Sequence, residues 1–190
     1  MLIIIGLGNP GKNFKFTRHN LGFLVLDKFQ KKNNFPGFSF NKDILSDKTE
    51  KILAGKKIVL IKPKTFMNSS GLAVKKILKN YKIKKGDIKE NLLIIHDDID
   101  LPFGKIKISV NKNSGGHKGV QSIIDTIKTK NFSRIRIGIA KEKKEKAEKL
   151  VLKNFTKEEI NLIKEILQKT VEIINFFILN GLEKTMSKYN

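Results

Sequence analysis

The chain begins with Leu2-Ile3-Ile4-Ile5, a run of apolar residues that closes in Gly6-Leu7-Gly8-Asn9-Pro10-Gly11. A run with no polar alternation offers no face to water, so residues 2 to 7 read as a buried strand. Such a strand has to sit inside a layered domain. Leu21, Leu24, Val25 and Phe29 then recur at helical spacing and predict a helix over about 20 to 32, with Asn20 as its N-cap. Phe35-Pro36-Gly37 breaks the chain, and residues 50 to 63 predict a β-hairpin turning near Gly55. Ser69 or Ser70 caps a second helix that carries Leu72, Val74, Ile77 and Leu78. Asn91 to His96 is a hydrophobic strand and Lys105 to Val110 a half-buried one, with DDIDLPFG between them. Gly115-Gly116 opens a third helix, and Ser133 to Ala140 alternates as a further strand. Thr156 to Glu159 has capping-box form ahead of the apolar stripe Ile160, Ile163, Leu167, Val171, Ile174 and Ile178. Strands mixed with helices, without a repeat, predict one α/β domain over 1–190. Its expected form is a three-layer α/β/α sandwich around a twisted mixed sheet, with antiparallel hairpins at its edges. Within it 141–155 is expected to be a charged, solvated connector and 156–189 a C-terminal helical region.

Composition narrows the chemistry. The absence of cysteine excludes disulfides, thiol nucleophiles and cysteine-zinc sites. MLIIIGLG has no basic stretch ahead of its apolar residues and reads as a strand, not a signal peptide. No apolar run approaches the roughly 18 residues of a membrane span, so a cytoplasmic protein without a membrane partner is expected. The 39 basic residues against 18 acidic ones leave a net charge of +21, which attracts phosphate backbones. Biased coding toward Lys, Ile, Asn and Phe explains part of that excess but would raise Glu as well. A polyanionic partner, nucleic acid first, accounts for the remainder.

GLGNPG matches the glycine pattern of dinucleotide-binding turns. That use needs the third glycine inside a helix and an acidic residue ending the next strand. Residues 10 to 16 show no helical period, and Asp27 falls within the first helix, so the glycines serve instead to turn the chain and present Asn9 and Arg18-His19-Asn20. Three further polar clusters follow strands. Thr65 to Gly71 displays Phe66 and Asn68 ahead of a helix. His96-Asp97-Asp98-Ile99-Asp100 crowds carboxylates at a strand end, open either to metal binding or to turn formation with one carboxylate paired to a histidine. Asn113 to Gly119 is a glycine-rich loop in which His117 either orients the loop or touches a ligand.

In order and spacing, NPG, TRHNLG, KTFMNSSG, HDDIDLPFG and SGGHKG together resemble the bacterial-type peptidyl-tRNA hydrolases, from residue 3 to about 140 with weaker support in the C-terminal helix. The resemblance implies hydrolysis of the ester joining a peptide to the 3′-terminal ribose of tRNA. It implies no cofactor and no metal, a partner consisting of the tRNA acceptor end and peptide backbone, and a monomer. Carried over by motif, the catalytic base falls on His19 and its carboxylate partner on Asp97. Asn9 recognises the peptide backbone, Asn68 bonds the reacting end, and Phe66 lies against the tRNA 3′ end; His117 joins the binding set. Two positions depart from the family pattern: Phe14 replaces the usual tyrosine and Lys118 the asparagine of GGHNG, both tRNA contacts. Phe14 keeps a ring without its hydroxyl, while Lys118 exchanges an amide for a charge that can reach phosphate.

Two rivals remain at this stage. A serine hydrolase using Ser69 or Ser70 lacks the G-x-S-x-G turn. A non-catalytic RNA-binding module explains the charge but leaves the His19 and Asp97 motifs idle.

Overall fold

The structure, a computed structural model, describes residues 1–140 and 147–190; the core of the charged run, 141–146, lies outside the described residues. The elements in chain order are β1 (Leu2–Gly6), α1 (Leu21–Lys32), β2 (Ser39–Asn41), β3 (Ser46–Leu53), β4 (Lys56–Pro63), α2 (Ser70–Asn80), α3 (Ile88–Asn91), β5 (Leu92–Pro102), β6 (Ile106–Ser109), α4 (Lys118–Ile127), β7 (Ser133–Ala140), α5 (Ala147–Leu150) and α6 (Lys157–Tyr189). The strands form one seven-stranded sheet in the order β2-β3-β4-β1-β5-β7-β6. β4, β1, β5 and β7 run parallel at its centre, while β2, β3 and β6 add antiparallel edges. The mixed α/β sandwich expected from the sequence is therefore present.

Successive residues of β1 divide between two cores, as the period of a strand requires. Leu2 and Ile4 face α1 and α6, meeting Leu21, Val25, Phe29, Val171 and Ile174. Ile3 and Ile5 face α2 and α4, meeting Ala73, Val74, Ile77, Val120 and Ile123. With both faces covered, every residue of the strand is buried, and each such apolar side chain contributes about 1.5–3 kcal/mol. The glycines of the first turn serve this packing. A Cβ on Gly22 would lie 2.5 Å from both the Ile95 carbonyl oxygen and the Leu7 nitrogen, and one on Gly6 would meet the Gly22 carbonyl. Helix α1 thus presses on the β1–β5 junction, which brings His19 and Asn20 over the strand ends.

Several local expectations are corrected. Asn20 does not cap α1; its amide pairs with the backbone of Asn9. Neither serine caps α2, since Ser70 Oγ donates to the Met67 carbonyl. DDIDLPFG is not wholly a turn: β5 continues to Pro102 with an irregularity between Asp98 and Pro102. Asp98 keeps a turn role within it, its carboxylate accepting the Asp100 N–H. Residues 147–155 are no free connector, because Leu150 is buried and the segment docks on residues 16–19. The Thr156 capping box forms as expected. Helix α6 breaks at Gly181, whose φ of 79° lies in the left-handed region. At its end the Asn190 amide accepts from the Ile108 N–H and donates to the Ile108 carbonyl, occupying the open side of edge strand β6. Among the described residues no helix is long and apolar enough to cross a membrane.

Candidate active site

Open α/β sheets place ligands outside the carboxyl ends of their parallel strands. At that end a cleft of about 610 Å³ is lined by Asn9 after β1, Phe66 and Asn68 after β4, Asp97 in β5, and His117 and Lys118 at the start of α4, together with Phe14 and His19. All eight site residues drawn from the sequence thus line one cleft. Met67, Asp98, Ile99, Gly115 and Gly116, which lie within the motifs, and Glu148, Val151 and Leu152, which lie outside them, complete its wall.

Its deepest part is a buried carboxylate between imidazoles. Asp97 is 1 % exposed, and His19 Nδ1 lies 2.9 Å and 3.0 Å from its two oxygens. An imidazole nitrogen facing a carboxylate in this way carries the proton and donates. Nε2 of His19 then presents its lone pair, and it has no protein partner among the described residues. His117 Nε2 approaches Asp97 Oδ1 at 3.1 Å, while its Nδ1 accepts from the Gly119 and Val120 amides. Burial alone would push the Asp97 carboxyl up, but the nearby imidazoles of His117 and His19, with their hydrogen bonds, hold it well below the ordinary carboxylate range. His96 donates from Nδ1 to the Asp97 carbonyl at 2.6 Å. Burial, then the proximity of His117 and Arg134, keeps it well below the usual imidazole value and hence neutral. His19, Asp97 and His117 bring ligand atoms within 4.8 Å of one another, which suits a small cation by distance. The two amides at His117 Nδ1, however, leave the ring proton on Nε2, where a cation would need a lone pair.

Asn9 is set by its neighbours. Its Oδ1 accepts the Met67 N–H at 2.8 Å, and its backbone is held at both polar groups by Asn20. The amide therefore cannot flip, and Nδ2 offers donors only. Oδ1 keeps a second lone pair beside the one the Met67 amide uses, so Asn9 presents its Nδ2 donors and a partly occupied acceptor. Asn68 and Phe66 are exposed in the turn before α2.

The outer wall is anchored by Arg18, which the sequence placed only as the neighbour of His19. Its guanidinium grips both oxygens of Glu159 at 2.8 Å and 2.7 Å and donates to the Lys153 and Asn154 carbonyls. The His19 N–H donates to the Val151 carbonyl, so the 150–155 wall and the histidine segment are joined directly. One signal was available: in a chain whose basic residues are otherwise lysine, arginine stands only at 18, 134 and 136. A forked donor marks places where lysine cannot substitute. Arg136 accordingly binds Asp98 at 2.6 Å, and the buried Arg134 donates to the Asn113 carbonyl.

The sequence profile of the peptidyl-tRNA hydrolases matches residues 3–190. A peptidyl-tRNA hydrolase of Thermodesulfovibrio yellowstonii is 48 % identical over 190 residues, covering 100 % of this chain and 99 % of the relative. The chain belongs to the peptidyl-tRNA hydrolase family. A further family member, from Mycoplasma mycoides, is 43 % identical over 197 residues with 100 % of both chains covered. Among solved structures, the peptidyl-tRNA hydrolase of Acinetobacter baumannii superposes with a TM-score of 0.89 at 28 % identity, covering 100 % of this chain and 94 % of that one. Against the peptidyl-tRNA hydrolase pattern, the two departures lie at the cleft mouth. Lys118 Nζ pairs with Glu148 Oε1 at 2.7 Å, both side chains largely exposed, and Phe14 lines the cleft with its ring.

Proposed function

We propose that this chain hydrolyses the ester between a peptide and the 3′-terminal ribose of tRNA, with His19 as general base. The observation that carries the reading is the His19–Asp97 pair: a buried carboxylate holds Nδ1–H, and the opposite nitrogen is left unpartnered on a ring that lines the cleft. Nε2 takes a proton from a water whose oxygen attacks the ester carbonyl. The new C–O bond turns the carbonyl oxygen into an oxyanion, stabilised by amide N–H groups of Asn68 and by the donor side of Asn9. As the intermediate collapses, the bond to the ribose oxygen breaks and the imidazolium returns its proton to that oxygen, freeing tRNA and a peptide carboxylic acid that gives its proton to solvent. Asp97 stabilises the imidazolium meanwhile.

No serine is needed, since Ser70 Oγ is committed to the Met67 carbonyl. Phe66 and Phe14 supply rings for the tRNA 3′ end, Lys118 supplies a phosphate contact, and the +21 charge draws in the nucleic acid. A monomer acting in the cytoplasm beside its substrate completes the reading. The test is single-turnover release of tRNA from N-blocked aminoacyl-tRNA. His19→Ala should lower the rate about 10²- to 10⁴-fold with tRNA affinity nearly intact, and a near-normal rate for that variant would overturn the mechanism.

A further inference from the structure

His117 begins α4 in an unusual way. Helix N-caps favour Ser, Thr, Asp or Asn, whose side-chain oxygen accepts the first free amides. Here ring Nδ1 takes that place, accepting from the Gly119 N–H at 3.1 Å and the Val120 N–H at 3.2 Å. A ring nitrogen that accepts two amides has no proton, so the neutral ring carries its proton on Nε2, the nitrogen 3.1 Å from Asp97 Oδ1. Protonating Nδ1 would turn two attractive contacts into repulsive ones at the positive end of a helix. The ring is also held across its faces. His19 lies at a centroid distance of 4.7 Å on one contact and His96 at 4.7 Å, edge to face, on another. Gly119 permits the seat, because a Cβ there would come within 3.1 Å of His117 Cε1 and collide with Met67 Sδ.

We propose that His117 is a positioning residue of this site: locked as a donor by the first amides of α4, it holds Asp97 so that the carboxylate aligns His19. The proposal rests on the hydrolytic reading above and assigns His117 no contact with substrate. Oδ1 of Asp97 receives both imidazoles and Oδ2 receives His19 again, so the carboxylate cannot rotate without losing a bond. The donor from His117 also draws off part of the carboxylate charge that His19 would otherwise meet. The other charged or titratable groups around the pair are accounted for. His96 on β5 is neutral, Arg136 on β7 is matched by Asp98, Arg134 lies on the His96 side, and Lys118 and Glu148 pair at the mouth.

His117→Asn separates the two roles of the ring. Asparagine is a good N-cap and keeps the start of α4, but its shorter side chain does not span to Asp97. Loss of a bond to a charged group should lower kcat for N-blocked aminoacyl-tRNA about 10- to 100-fold with KM nearly unchanged. The ascending limb of the kcat–pH profile should move to higher pH, as His19 then faces a less neutralised carboxylate. In an Asp97→Asn background the same change should add almost nothing. A parent-like kcat and pH limb, a loss confined to KM, or full additivity with Asp97→Asn would each overturn the proposal. Independently of activity, the chain has three histidines, so the ¹⁵N ring spectrum of the unmodified full-length protein resolves each tautomer. His117 should be bare at Nδ1 and protonated at Nε2 at neutral pH, as its bonds to the α4 amides and Asp97 require; a His117 that carries its proton on Nδ1 refutes the lock. Should the asparagine variant not fold, this spectrum decides alone. If the unmodified chain releases no tRNA, the hydrolytic reading fails, and with it the positioning role, whatever the tautomer.

Discussion

Replacing Arg18 tests whether the outer wall of the cleft is held by the ion pair to Glu159. The two side chains are 1 % and 14 % exposed, and the guanidinium makes two bonds to the carboxylate and two to backbone carbonyls. Removing one partner of a buried pair costs about 3–5 kcal/mol, because the remaining charge is left desolvated. Glu159 keeps its bond to the Thr156 N–H and some contact with water, which places Arg18→Ala near the lower end, about 3 kcal/mol. Arg18→Lys retains the charge but not the fork, and should cost roughly half as much. Urea unfolding of Arg18→Ala, Glu159→Gln and the double variant measures the coupling, expected at about 1–3 kcal/mol with an unchanged m-value. The rate of tRNA release should fall as well, since His19 shares a backbone bond with Val151 in the anchored wall. An Arg18→Ala variant within about 0.5 kcal/mol of the parent, or additive single changes, would refute the argument.

Asn9→Asp keeps an oxygen for the Met67 N–H but replaces the cleft-facing donors with a charged acceptor. It should lower kcat/KM for N-blocked aminoacyl-tRNA about 10- to 100-fold, and parent-like kinetics would show that Nδ2 touches nothing in the transition state. Glu148→Gln should release Lys118 for phosphate, tightening tRNA binding at low salt and steepening the log–log salt dependence by up to about 0.9; an unchanged slope removes Lys118 from the contact set. Acid should destabilise the fold in two stages. Below pH about 6.5 the unfolded chain protonates His96 while the folded chain does not, so stability falls with pH by up to about 1.4 kcal/mol per unit. Below about pH 4 the depressed Asp97 carboxyl adds a loss of the same sign. A melting temperature constant from pH 7 to 5 would contradict the first stage.

Much of the fold was legible because burial leaves a periodic trace. The apolar run of β1, the alternation of β7 and the stripe of α6 each report the faces that neighbours cover. The hairpin at Gly55 and the Thr156 capping box were readable because turn and cap chemistry is local. Cap assignments failed where a polar residue had a better partner far along the chain. Asn20 is spent on Asn9, and the amides at the start of α4 are met by a histidine instead of an Asx or Ser side chain. The cleft residues could be named from motifs, but not the direction of their hydrogen bonds. The orientation of the Asn9 amide depends on the Met67 N–H, and that His117 donates to Asp97 depends on a tautomer set by α4. The clamp between Arg18 and Glu159 spans 141 positions and leaves no local pattern apart from the choice of arginine.

Helix α6 is tied at both ends. Glu159 in its first turn is fastened to Arg18, beside His19, and Asn190 at its close is fastened to Ile108 on the outermost strand. A rod fixed at each end can flex only where its own ladder is interrupted, and that place is Gly181. The interruption lies eight residues before Tyr189, where the helix ends, and remote from the anchor at Arg18. His19 and the wall next to it are joined by the His19–Val151 and Arg18–Lys153 backbone bonds, so the first turn of the helix and the wall of the cleft share one anchor.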